Sequence, residues 1–383
     1  MARIGLYLVS IERQSYLLAK MLALAGSRVF VYSEVSLQTV LAGTESPSIP
    51  ERRYFSWLFS DKDIVTLGVD EEAPRVDLLI YEMGHPWPAQ PERLSAWICR
   101  ASYVAAFHNH EQISGWYQNQ RADFARLIKY GRFLRRTRRF LLRGGRAHFR
   151  LPLVLARGAR LGYFVNPEFL RDSKLREAMF AADWSPQGKR PVRLLFAGNP
   201  EPLCRRKIVE RLTEWLTHQP GWPVISSLGE WKQGQEAFAD AKQAILWMVR
   251  GDPNDLNWES RADSVAPERW PAVLSLADFS LCPPGYEPKT HRVIESLLRG
   301  SIPILDCPEL YDLGLGDEAN CIVVRNNDWV GAVAKALSFT SEKVVSMREA
   351  VRKCRDQFLT LDRAGQHLAG KCGLEIRASG FHP

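Results

Sequence analysis

The sequence predicts an α/β protein built from two open, mainly parallel sheets, one in each half of the chain. Three observations predict it. Short continuous apolar runs alternate with apolar-periodic helical stretches, which is how strands read when helices cover both faces of a sheet. That pattern breaks once, at the polar Pro/Gly stretch "DWSPQGKRP" (183–191). It then restarts with the same grammar. The expected division is a domain over 1–182, a linker over 183–191 and a second domain over 192–383. Each half then falls in the usual domain range of ~100–200 residues.

The first half opens with "MARIGLYLVSIERQS". Its apolar residues alternate with polar ones and meet charge at Glu12 and Arg13, so it reads as a strand (3–9) rather than a signal peptide. A helix follows from Arg13 and stops at "AGS". "RVFVYS" is a second strand, "VDLLIYE" (76–82) a third and "YVAAFH" (103–108) a fourth, with "PERLSAWICRA" the helix between the last two.

The second half begins with "VRLLFAG", a strand that stops at Gly198. "RRKIVERLTEWLTH" is a helix, "PVISSLG" a strand and "PERWPAVLSLA" a helix. "DFSLCPP" is a strand and loop, "THRVIESLLRG" a helix, and "SIPILD" and "CIVVRN" strands. "WVGAVAKALSF" and a long stretch over 341–358 close it as helices. Open sheets of this kind bind ligands beyond the carboxyl ends of their strands.

Composition narrows the class. With 46% hydrophobic and 25% charged residues the chain fits a soluble globular protein. No run approaches ~18 uncharged apolar residues, so no membrane span is expected. The seven cysteines are scattered, odd in number and form no C-x-x-C, which points to reduced thiols in a cytoplasmic protein without a zinc site. The net charge of +8 is uneven: residues 121–160 carry 13 Lys/Arg against one Asp, a net +12, and the rest of the chain nets −4. Leucines and phenylalanines interleave with those arginines. Such a basic amphipathic segment favours an anionic membrane surface or a lipid-linked acceptor over nucleic acid. A solvated basic helix face is the plain alternative. No helix-turn-helix, RRM or zinc motif speaks for nucleic acid.

The most informative stretch is "CPPGYEPKTHRVIESLLRGSIPIL" (282–305). In an open sheet, Cys282, Pro283, Pro284, Gly285 and Tyr286 form the loop after a strand, at the ligand edge. Gly285 allows a backbone conformation that a side chain would forbid. Lys289, Thr290, His291 and Arg292 gather at the start of the next helix, whose free N–H groups and positive dipole end suit phosphate. Glu295 shares a face with Arg292 and, one turn on, with Arg299. The plain alternative is a surface Arg–Glu–Arg ladder, with Gly300 as a C-cap.

The order of these parts resembles the donor-site signature of the exostosin-like glycosyltransferases: approximately Cys-Pro-x-Gly, a short gap, Ser-x-Arg-x-x-Glu-Ala, then Gly-Cys-Ile-Pro-Val. Here stand Cys282, Pro283 and Gly285; then Thr290 in the serine's place, Arg292, Glu295, and Ser296 in the alanine's place; then Gly300, Ile302 and Pro303. "LADFSL" is similar to the family's Ser-Lys-Phe-Cys-Leu strand, and "LLFAGNPEPLCRRKIVERL" to its Phe-x-Gly strand end with a following arginine. The resemblance covers roughly residues 192–310, and the N-terminal half adds only compatible architecture.

The resemblance implies the GT-B fold: two Rossmann-like domains with parallel sheets facing across a cleft, an acceptor domain first and a nucleotide-sugar donor domain second. It implies that Glu295 holds the donor ribose and that Arg292 and the Thr290 region hold phosphate. Gly198, Arg205 and Arg206 are further donor-site candidates. It also implies no cofactor and no metal, since helix dipoles and basic side chains neutralise the leaving phosphate. No Asp-x-Asp stands in the half of the chain that carries the donor signature, where "GDPND" separates its aspartates by two residues. The expected partners are a nucleotide-sugar and a glycan or lipid-linked glycan acceptor of a surface polysaccharide. The expected location is the cytoplasm, with a peripheral contact at the inner membrane. Thr-His-Arg and Arg-Gly-Ser-Ile-Pro differ from the family in detail and leave the nucleotide open. A UDP-sugar is one donor; CMP-Kdo, for a Kdo transferase of capsule or lipopolysaccharide, is another. A non-catalytic GT-B-like nucleotide or glycan binding protein is the reading from a different class.

The chemistry needs a general base for the acceptor hydroxyl or a carboxylate nucleophile. "YEMGHPWP" offers Glu82 and His85 after an N-terminal-half strand, and they rank first, as orienting partner and base. Asp252 and Asp263, in the polar stretch "RGDPNDLNWESRADS", come next. His108, His110 and Glu111 in "FHNHEQ" follow.

Overall fold

The structure, a computed structural model, describes residues 1–9, 13–34, 55–83, 90–108, 148–149, 165, 167–170, 172–198, 203–225, 244–249, 265, 267–285, 290–311, 313–371 and 374. Apart from the backbone of 148–149, the basic segment 121–160 lies outside them. Among the described residues no helix is long and apolar enough to cross a membrane.

The chain divides into two compact units, Met1–Tyr163 with Phe358–Pro383, and Phe164–Gln357. In the first, β1 (Arg3–Leu8), α1 (Arg13–Leu24), β2 (Arg28–Ser33), β3 (Ile64–Thr66), β4 (Val76–Met83), α2 (Pro91–Cys99), β5 (Ala101–His108) and β6 (His148–Phe149) follow in sequence. The described strands form one parallel sheet in the order β3-β2-β1-β4-β5-β6. This is the doubly wound order, with its switch point between β1 and β4. β1 is buried from its second residue onward, as its continuous apolar run requires. Trp97 of α2 packs edge-on against Tyr7 at 6.4 Å in the core beneath.

The second unit contains α3 (Ser173–Phe180), β7 (Val192–Gly198), α4 (Leu203–Thr217), β8 (Val224–Ile225), β9 (Ala244–Val249), α5 (Trp270–Ser275), β10 (Ala277–Leu281), α6 (His291–Leu298), β11 (Ile302–Leu305), β12 (Ile322–Val323), α7 (Trp329–Ser338) and α8 (Ser341–Phe358). Its sheet is again parallel, in the order β12-β11-β10-β7-β9-β8. The chain leaves β7 toward β9 and β8, then leaves β10 toward β11 and β12. The switch point therefore lies between β7 and β10. At the amino ends of these strands, Arg193 and Arg348 bracket Asp278, at 3.1 Å and 3.5 Å. Burial raises the Asp278 pKa, and the two arginines work against that shift. This ionic seal closes the end of the sheet away from the switch-point loops.

These units divide the chain differently from the expected 1–182, 183–191 and 192–383. Residues 183–191 are no free linker. Trp184 donates to Leu298 O at 3.0 Å, Arg190 to Ala277 O at 2.7 Å, and Asp183 pairs with Arg299 at 2.9 Å. The carboxyl end of α3 is fastened as well, since Arg299 donates to Ala178 O and Ala181 O, and Arg355 to Phe180 O. At the other end of the chain, α9 (Leu361–Lys371) leaves the second unit and packs on α1 of the first. Gly365 makes that approach possible, because a Cβ there would lie 2.0 Å from Met21 O.

Among the described residues, the sequence reading misses the strands β3, β6 and β9, the helices α3 and α9, and the helical residues 55–59. β9 matters most, because it separates β7 from β8. Its six residues, "AILWMV", are the kind of continuous apolar run that marks a buried strand.

Candidate functional site

The site is built where β7 and β10 end side by side. Their register pairs Leu194 with Phe279 and Leu195 with Ser280. β7 stops at Gly198, and β10 runs into the loop 282–285 that leads toward α6. Segments some 90 residues apart in sequence are thereby neighbours at the switch point, the place where such sheets take ligands.

Arg292, the second residue of α6, reaches back over β7. Its guanidinium carbon lies 5.7 Å from the Phe196 ring centroid and 5.2 Å from that of Trp270. Both distances are within cation–π range. Beneath it is Gly198: a Cβ on that residue would sit 3.1 Å from both Nη1 and Nη2 of Arg292. The glycine thus leaves room for the cation. One turn along α6, Glu295 is buried, and its Oε2 accepts a hydrogen bond from Trp270 Nε1 at 2.8 Å. Trp270 therefore touches both charged residues of the motif.

The neighbouring loop is fixed from α4. Arg205 donates through Nε to Pro284 O at 3.1 Å and through Nη2 to Pro283 O at 3.4 Å. Cys204 Sγ lies 3.3 Å from Gly285 O. Arg205 thus clamps the loop, while Arg206 beside it is exposed. Cys282 is buried, and desolvation pushes its thiol up to about 12 despite Arg292 nearby, so it is a packing residue and not a nucleophile.

Thr290 sits at the N-cap of α6 with extended backbone, and its side chain makes no capping bond. Its main chain is held instead by Tyr311, whose hydroxyl accepts from Thr290 N at 2.7 Å and donates to Thr290 O at 3.2 Å. The leading N–H groups of the helix thus lack the side-chain cap that Thr290 could have provided, and they lie next to Arg292. An anion is the natural complement of such an end.

Structure and sequence reading meet here in part. Gly198, Arg292 and Glu295 come together, and Thr290 and His291 head the same helix. The surface Arg–Glu–Arg ladder does not form. Glu295 is turned inward to Trp270, and Arg299 runs to Pro271 O, Ser275 Oγ and Asp183. The sequence reading overlooks Phe196, Trp270 and Tyr311. The only signal for Trp270 was an aromatic residue at the start of the helix before β10. Tyr286 and Lys289 lie outside the described residues, as do His85, Asp252, Asp263, His110 and Glu111. His108 is described by its backbone alone, at the end of β5. Glu82, in the first unit, is buried, and its Oε2 accepts from Val9 N at 2.8 Å, holding the chain just past β1. Among the described residues no three His, Cys, Asp or Glu side chains cluster as a metal site.

No family model matches the chain, and no curated protein matches it. Solved structures do align with it. A glycosyltransferase from Rickettsia africae is 9% identical over 97% of both chains, with a TM-score of 0.46. HepE from Anabaena, solved with UDP, is 11% identical over 97% of this chain and 99% of its own, with a TM-score of 0.44. Sucrose-phosphate synthase from Thermosynechococcus elongatus is 13% identical over 97% of this chain and 98% of its own, also at 0.44.

Proposed function

We propose that the chain is a metal-independent glycosyltransferase. On this reading it takes a nucleotide-sugar at the carboxyl ends of β7 and β10 and passes the sugar to a growing surface polysaccharide or glycolipid. The observation that carries the reading is the convergence of Gly198, Arg292 and Glu295 at the switch point. These are among the residues the donor-site resemblance singles out, and Gly198 meets Arg292 although it stands on a distant strand.

The chemistry follows from charge. When the glycosidic bond to phosphate breaks, negative charge grows on the leaving oxygen. Arg292 and the positive end of α6 supply the opposite charge from fixed positions. Glu295 is set one turn further in, to accept from ribose hydroxyls. The acceptor hydroxyl must lose its proton to a base, and this role is assigned first to His85, with Glu82 as its partner. The bond from Val9 N fixes Glu82, which suits an orienting group better than a mobile base. Asp252 and Asp263 are the next candidates. The +12 segment 121–160 supplies the contact with an anionic membrane surface or lipid-linked acceptor. Co-sedimentation with anionic liposomes that falls with salt would support that contact, and equal binding to neutral liposomes would count against it.

The test is a thermal-shift series with UDP-, GDP-, CMP- and dTDP-sugars on wild type and Arg292→Ala. Wild type should be stabilised by one nucleotide class and the variant by none. A wild type indifferent to all four classes, or a variant that responds as wild type does, would overturn the reading. Slow hydrolysis of the bound donor without acceptor separates an enzyme from a binding protein.

A further inference from the structure

Trp270 belongs to neither half of the sequence motif, yet it touches both charged groups of α6. We infer that Trp270 is a positioning residue for the donor site: its indole N–H sets the Glu295 carboxylate, and its ring carries the Arg292 guanidinium. This rests on the donor-site reading above and extends it to a residue on another element.

The geometry supports two separable actions of one side chain. The N–H donates to Glu295 Oε2 at 2.8 Å in a buried setting. A donor on one oxygen restricts how the carboxylate can turn. The ring face lies 5.2 Å from the Arg292 guanidinium carbon, with Phe196 at 5.7 Å as the other support. The indole itself has little freedom. Trp270 is 8% exposed. The carbonyl of the next residue, Pro271, accepts from Arg299 Nε at 3.3 Å, and Ser275 Oγ at the end of α5 accepts from the same atom at 2.9 Å. Arg299 thus locks α5 to the end of α6, and Trp270, at the start of α5, meets Arg292 in the first turn of α6 and Glu295 one turn on.

The two actions predict different losses. Removing the N–H while keeping an aromatic face takes one donor from the carboxylate but leaves the cation supported. Recognition of the ribose should weaken, and recognition of the phosphates should not. The experiment uses the full chain and measures, by calorimetry, the affinity for UDP and CMP and for their 2′-deoxy counterparts. Wild type should prefer the ribonucleotide of one pair. Trp270→Phe should lose about tenfold in affinity for that ribonucleotide, the scale of one hydrogen bond to a charged group, and almost none for its deoxy form. The preference therefore collapses. In the double variant with Glu295→Ala the two losses should not add, because both remove one interaction. Trp270→His, whose ring N–H can still donate, should recover part of the preference.

A Trp270→Phe protein that keeps the wild-type preference overturns the inference while leaving the donor site standing. Additive losses in the double variant overturn it too, since a packing role alone would add. If Trp270→Phe does not fold, Trp270→Tyr, which keeps a ring face without the indole N–H, takes its place and is read in the same way. An unchanged preference in Glu295→Ala also overturns the inference, because Trp270 then has nothing to position. A wild type that binds none of the four nucleotides removes the donor-site reading and this inference with it.

Discussion

The two sheets share an architecture and use their switch points differently. At the first, between β1 and β4, an acidic side chain is spent on the protein itself: Glu82 accepts from Val9 N at 2.8 Å. Nearby, Glu34 accepts from Tyr7 Oη and from Gln90 N, so a second carboxylate is also committed internally. At the second, between β7 and β10, the strand ends in a glycine, and the space above it holds a guanidinium. The carboxylate there, Glu295, accepts from an indole N–H. The difference teaches where to look for function in a doubled fold. A charged group that ties its own backbone is part of the scaffold first. A cation propped over a glycine, next to a helix end that its own threonine leaves uncapped, is built for something else.

The largest expected effect separates the two. Arg292→Ala should cut sugar transfer by about 10²- to 10³-fold, the range for removing one electrostatic stabiliser of a transition state. Its melting temperature should change little. Turnover within a few-fold of wild type would erase the contrast.

Glu82→Ala should behave in the opposite sense toward nucleotide. It leaves Val9 N buried without its acceptor, at a cost of about 1–3 kcal/mol of stability. Nucleotide affinity should be unchanged. If Glu82 is also the partner of His85, turnover falls as well, and the combination of lower turnover with intact binding is what identifies that role. A Glu82→Ala protein of wild-type stability would show that the bond to Val9 is dispensable.

The contrast was only partly legible in the sequence. Both sheets could be read because β1, β4, β7 and β10 are apolar runs with little else in them. The motif could be read because glycine, arginine and glutamate recur at a spacing that one helix imposes. What could not be read is which way that helix faces. Arg292, Glu295 and Arg299 share a stripe whether it meets water or protein, and only tertiary packing turns Glu295 toward Trp270. The return of α9 to the first unit was hidden for a similar reason. "LDRAGQHLAGK" shows an amphipathic helix, but its periodicity does not say whose core it completes. Residues 183–191 misled because Pro, Gly and charge mark a linker only when the charges stay in water. Here Arg190 is 8% exposed and bonds two carbonyls.

Alkaline pH should distinguish the units as well. Burial raises the thiols of Cys282, Cys321 and Cys354, all in the second unit, to about 12. In the first unit burial raises the phenols of Tyr7, Tyr16 and Tyr81. Each group is neutral in the folded state over a range where its unfolded counterpart ionises. Its stabilising contribution is complete below the unfolded pKa and is lost as pH rises toward the folded one. Unfolded thiols titrate near 8.5 and phenols near 10. The second unit should therefore weaken first, by up to about 1 kcal/mol per thiol between pH 9 and pH 10. Amide-exchange protection should fall in β10 before it falls in β1. The reverse order would mean that the thiols are less buried than they are here.

The smallest effect is the most local. Gly198→Ala adds one methyl, which would sit 3.1 Å from both terminal nitrogens of Arg292. The neighbour is the far end of a flexible side chain, so the guanidinium can give by a few tenths of an ångström and the fold should not suffer. Its alignment with Phe196 and Trp270 should suffer, and with it the contact to phosphate. Nucleotide affinity should drop roughly two- to fivefold, a few tenths of a kcal/mol to about 1 kcal/mol. Gly198→Val, which cannot be accommodated by so small a shift, should cost more than Gly198→Ala, while Arg292→Ala placed on either background should remove the difference between them. Calorimetry on this series reads the effect directly. Equal affinity in wild type, Gly198→Ala and Gly198→Val would show that the cation over the glycine takes no part in binding, and the distinction between the two switch points would then be one of packing alone.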